Sequence, residues 1–152
     1  MRGRRKTAAW AALAAAAFAG CGQDANGPPA ACTEGAGPLL AALRAAPSAV
    51  RLRDGTRLSQ CVESARQDGE IQTLGSLFTA AAHSLARAMP ASDAAATRLG
   101  YLIAATRRGA GRTNGIHLEL VRRLEQTIGI DGPPGARRRA FAEGQAAGRS
   151  LG

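Results

Sequence analysis

Lysine is almost absent from this 152-residue chain: Lys6 stands alone, and every other basic residue is arginine. Aromatics are scarce too, with one Trp, one Tyr and three Phe, which excludes a stacking platform for bases or sugars. With two histidines and three cysteines there is no Cys-x-x-Cys or other close ligand spacing, so neither a metal site nor a cofactor is expected. No Gly-x-Ser-x-Gly elbow is present. Gly109-Ala110-Gly111-Arg112 lacks both the Gly-Lys-Ser/Thr ending and the preceding strand of a phosphate loop, and reads instead as a helix–helix turn. No catalytic residue is assigned, and the chain is read as a non-enzyme. The apolar run from Thr7 to Gly20 covers 14 residues, short of the ~20 that a membrane-crossing helix needs.

What is there begins at the front. Arg2, Arg4, Arg5 and Lys6 precede that Ala-rich run, which closes on Phe18-Ala19-Gly20-Cys21. A basic segment, a short apolar segment and small residues at a cleavage point form an export signal.

With the cysteine directly after the small residues, this stretch resembles the signal peptide and lipobox of bacterial lipoproteins, with Phe18 where leucine is usual. The resemblance covers about the first 24 residues. It implies cleavage between Gly20 and Cys21 and acyl chains such as palmitate on Cys21. The protein would then sit lipid-anchored on the extracytoplasmic face of the cell membrane. An ordinary secretory signal, cut after Gly20 and leaving Cys21 unmodified, is the competing reading.

Removing residues 1–20 takes four of the 20 basic residues and none of the 11 acidic ones, leaving 16 against 11 and a net charge of +5 instead of +9. Much of the apparent affinity for nucleic acid is therefore signal peptide, and an exported protein rarely meets DNA. No nucleic-acid partner is expected. About 130 residues remain, enough for one domain, but alanine supplies much of the apolar content and buries little area.

With Cys21 assigned to the lipobox, Cys32 and Cys61 remain. Outside the cytoplasm such a pair most often forms a disulfide. Closing a loop of about 30 residues is worth roughly 3–4 kcal/mol in the chain-entropy model.

The remaining chain divides by composition. Residues 21–38 are Gly- and Pro-rich and read as a flexible tether. Residues 39–130 carry helical periodicity. Leu39, Leu40 and Leu43 give a short helix ended by Pro47, and Val50 and Leu52 fall in a connector before Asp54-Gly55. A second helical region begins near Ser59, with Asp68-Gly69 interrupting it. Ile71, Leu74, Phe78, Ala81 and Leu85 then step by 3 and 4 until Pro90. Ser92 or Asp93 caps a third helix bearing Leu99, Leu102, Ile103 and Thr106, and Gly109 is read as its reversal. Thr113 or Asn114 caps a fourth with Ile116, Leu120, Val121, Leu124 and Ile128, which Gly129 closes. The expected fold is all-α, a small antiparallel bundle of about four helices. Residues 131–152 read as a Gly/Pro/Arg-rich mobile tail with at most a marginal helix over 136–147.

Three features carry candidate chemistry. His83 and His117 would serve a small-ligand or metal-binding lipoprotein if they met in the bundle interior with Glu119. Helix-edge histidines are the simpler account. Arg107, Arg108 and Arg112 form the densest basic group of the domain, a site for anionic lipid or wall polymer, with Arg122-Arg123 flanking it. An enzyme acting on envelope polymers would need two of Glu63, Glu70, Asp93 and Glu119 facing each other across a groove. Finally, Gly100 inside a helix predicts close approach by another helix, with Tyr101 beside the contact and Gly75 as the counterpart. The expected role is a binding or structural module of the bacterial cell envelope, its protein partner unspecified.

Overall fold

The computed structural model of the chain describes residues 27–129 and 131–152. Over these residues the fold is all-α, with six α-helices and no strand. They are α1 (Ala36–Ala42), α2 (Leu58–Ser64), α3 (Asp68–Ala88), α4 (Asp93–Ala110), α5 (Leu118–Gln126) and α6 (Arg138–Leu151), with short 3₁₀ turns between some of them. The stretch expected to be a signal peptide with its lipobox, Cys21 included, lies outside the described residues.

Local chemistry sets the helix starts. Glu70 reaches back from the first turn of α3, its carboxylate accepting from the backbone N–H groups of Arg66 (2.9 Å) and Gln67 (3.1 Å). Ser92 caps α4, its hydroxyl accepting from the N–H of Ala95 at 3.2 Å. The α3 stripe is buried at Leu74, Phe78, Ala81 and Leu85. It faces α4, which also packs against α2, α5 and α6. Every residue of α4 from Leu99 to Thr106 is buried. A helix apolar all round is a core helix, and α4 is the axis around which the others stand. Val50 and Leu52 form a connector, as expected, and both are buried.

Four expectations are corrected. First, the tether does not run to residue 38. Residues 30–33 form a 3₁₀ turn with Ala31 and Cys32 buried, and α1 begins at Ala36. The Gly/Pro composition is there, but Cys32 fastens this segment to α2: Cys32 and Cys61 are bonded, with Cα atoms 5.5 Å apart.

Second, residues 131–152 are not a loose tail. After a loop and a 3₁₀ turn at Gly135–Arg137, α6 runs 14 residues and lies along α4 with Phe141, Gly144 and Gly148 buried. Third, Gly100 does mark a close helix approach, but its counterpart is α6. A Cβ placed on Gly100 would stand 3.1 Å from the N atom of Gln145 and the carbonyl carbon of Phe141, whereas a Cβ on Gly75 would meet nothing within 4 Å. Small residues let two backbones approach, and Gly144 and Gly148 supply the other side of that contact.

Fourth, α5 begins at Leu118, not at Thr113 or Asn114. Asn114 (φ 50°) and Gly115 (φ 91°) are left-handed and turn the chain before the helix starts. Gly109 lies within α4, where a Cβ would stand 2.8 Å from the Val62 Cβ; it serves the α2–α4 contact and not a reversal.

Candidate functional site

The two histidines are placed in opposite environments. His83 is exposed on α3. His117, which immediately precedes α5, is 1% exposed, and its Nε2 lies 2.8 Å from the carbonyl oxygen of Ala65. A carbonyl only accepts, so Nε2 donates to it, and Nδ1 is buried with no hydrogen-bond partner among the described residues. His117 thus works as a peg joining the loop before α5 to the end of α2. Its supposed companion Glu119 accepts instead from Arg122 (3.3 Å) and Arg123 (3.1 Å). Among the described residues, no three His, Cys, Asp or Glu side chains are grouped so as to hold a metal ion.

The four carboxylates are dispersed as well. Glu63 pairs with Arg112 at 2.9 Å, Glu70 caps α3, Asp93 pairs with Arg137 at 2.8 Å, and Glu119 holds its two arginines. None of these acids pairs with another across a groove. A surface depression of about 620 Å³ lies between the end of α3 and the loop after α5, lined by Met89, Pro90, Ile128, Pro133 and Arg138 among others. Neither histidine borders it. The bundle interior is filled by Phe78, Leu74, Tyr101, Leu102 and Ile103, each at most 1% exposed.

The arginine group is brought together only in part, and each member has an internal partner. Arg107 pairs with Glu125, Arg112 with Glu63, and Arg108 donates to the carbonyl oxygens of Arg149 and Ser150, both at 2.7 Å. Arg108 thereby satisfies carbonyls at the end of α6 that have no partner within the helix. All three remain near the surface, with the Arg107 and Arg112 side chains 51% and 56% exposed.

Tyr101 is the buried polar group with the clearest structural task. Its hydroxyl accepts from the backbone N–H of Val50 at 3.1 Å, tying the connector after α1 to the core helix. Burial pushes its pKa above the ordinary 10.0, opposed by the Val50 hydrogen bond.

One end of the molecule gathers features that the sequence did not place together. Gly27 and Pro29, where the described chain begins, border a shallow surface groove with Thr56, Gln60, Glu63, Ser64 and Arg66. Glu63 holds Arg112, and Ala65 holds His117. Between those two anchors the loop carries Ile116, 50% exposed, and next to it Leu118, 60% exposed. Periodicity had assigned Ile116 to the buried face of a helix. The left-handed turn at Asn114 and Gly115 removes it from that helix and turns it outward.

The chain matches no protein-family model, no curated protein and no solved structure. The fold and the geometry of its surface are therefore the basis for a functional reading.

Proposed function

We propose that this protein is an exported, lipid-anchored helical module of the bacterial cell envelope, held on the extracytoplasmic face of the membrane by acyl chains on Cys21. Its role is that of a binding or structural domain presented at the membrane surface. The observation that supports this reading best is the Cys32–Cys61 bridge, between residues 5% and 0% exposed in a small Ala-rich core. Such bonds persist in oxidising compartments and are rare in the cytosol. The bridge agrees with the address written in Phe18-Ala19-Gly20-Cys21. No helix among the described residues is long and apolar enough to cross a membrane. Two acyl chains give stable anchoring where one is marginal.

The first described turn begins at Ala30, which leaves at most residues 22–29 as a spacer after Cys21. The domain is thereby held close to the bilayer. The intact mass of the membrane-extracted protein, taken without reductant, tests the proposal. The expected species begins at Cys21, carries the mass of a diacylglycerol-modified cysteine and is two hydrogens lighter than its reduced form. A mass retaining Met1 through Gly20, or an unmodified Cys21, would refute it.

A further inference from the structure

The geometry points to a membrane-contacting face: the loop bearing Ile116, together with Leu118 at the start of α5, rests on the bilayer to which Cys21 is tied, so the domain is oriented as well as anchored. This inference rests on the lipid-anchored reading of Cys21. It begins from where the chain comes onto the fold. Six residue steps separate Cys21 from Gly27, and at ~3.3–3.6 Å per residue they span at most about 22 Å. Gly27 borders the same groove as Glu63. The Glu63 carboxylate holds Arg112 at 2.9 Å, and the Ala65 carbonyl holds His117 at 2.8 Å. The loop from Arg112 to His117 is therefore fastened at both ends to the end of α2, beside which the chain arrives.

Of the three exposed large apolar side chains among the described residues, Ile116 on that loop and Leu118 at the start of α5 are each at least half exposed. The third, Leu151, belongs to the end of α6. Single exposed aliphatic residues are ordinary. Two of them flanking the buried His117, just after the left-handed turn at Asn114 and Gly115, form an apolar tip. Leu118 and Arg122 lie one turn apart on α5, and Arg122 and Arg123 share the single carboxylate of Glu119. One net cation thus stands behind the tip, suited to anionic headgroups. Apolar side chains of this kind settle at the boundary of headgroups and acyl chains.

Tryptophan substitution reads this contact directly, because Trp10 is the only native Trp. In a Trp10→Phe background, the full chain carrying Ile116→Trp or Leu118→Trp is purified from membranes. Each is reconstituted into phosphatidylethanolamine–phosphatidylglycerol vesicles with and without brominated acyl chains, and the intact mass of each sample is recorded. His83→Trp is the control; it is exposed and lies fifteen residues along α3 from Asp68, about 22 Å at 1.5 Å per residue. The expected result is acylated protein whose emission at 116 and 118 is blue-shifted and quenched by bromine, while that at 83 is not. Acylated protein with no quenching at 116 and 118, or with equal quenching at 83, overturns the oriented face and leaves the anchor standing. Unacylated protein that is still quenched at 116 overturns the anchor and retains the contact. Unacylated and unquenched protein overturns both.

Discussion

Adding one methyl group at Gly144 should separate the two helices that make the longest contact in the fold. An alanine Cβ there would stand 2.7 Å from the carbonyl carbon and 2.9 Å from the Cα of Thr97. Carbon atoms in contact prefer ~3.5–4.0 Å, so α6 must move off α4 by about 1 Å. The obstacle is backbone in mid-helix and has no rotamer into which to retreat. A gap of that size forfeits about a quarter to a half of each dispersion contact along the interface. Overpacking of this kind typically costs ~1–3 kcal/mol, and here Phe141, Gly148 and the α4 surface beneath them are disturbed together. The helix-propensity gain from Gly to Ala, ~1 kcal/mol, offsets only part of it. With that gain taken off, a net loss of up to about 2 kcal/mol is expected. Gly75→Ala is the matched control, since nothing lies within 4 Å of its Cβ and only the propensity gain remains. Urea unfolding followed by far-ultraviolet circular dichroism should move the midpoint down for Gly144→Ala and up for Gly75→Ala. A Gly144→Ala midpoint at or above the wild type would refute the close-packed α4–α6 contact.

Two further outcomes are expected, beside the mass and quenching results described above. Replacing Cys32 and Cys61 together by alanine opens a link between residues 29 apart in sequence and should lower stability by roughly 3–4 kcal/mol, read from the urea midpoint. A loss under ~1 kcal/mol would mean that the core holds the first turn without the bridge. Tyr101 is the only tyrosine, so tyrosinate absorbance titrates it alone. With its folded pKa raised above 10.0 by burial, the native state holds its proton longer than the unfolded chain. Its stabilising contribution is complete below pH 10.0 and is lost as pH rises from there through the folded value. Tyr101→Phe should abolish that alkaline decline and, by leaving the buried Val50 N–H unpaired, cost about 1–3 kcal/mol at neutral pH. A wild-type tyrosine ionising at 10.0 or below would contradict its burial.

The candidate site was less legible in the sequence than the fold. His83 and His117 looked alike on a helical wheel, yet only His117 is buried, because the turn at Asn114 and Gly115 directs it at Ala65, 52 positions earlier. The arginines were found, but their partners Glu63, Glu125 and the carbonyls of residues 149 and 150 were out of reach of any local spacing rule. Exposed Ile116 was hidden because helical periodicity was carried one turn too far toward the N-terminus, and Leu118 beside it lay off the periodic face.

The sequence by itself determined the helices that bury large side chains at regular steps. It also narrowed the α4 cap to Ser92 or Asp93 and led to the pairing of Cys32 with Cys61. These are local matters, or matters of elimination, and the all-α class follows from them. Only the tertiary structure decided that residues 138–151 belong to the domain and that α4 is its axis. The reason is physical: periodicity registers apolar side chains, whereas the α4–α6 contact is built around Gly100, Gly144 and Gly148, which have none. Their contribution is the absence of a Cβ, and that matters only when another backbone, more than forty residues away in sequence, comes to lie against it.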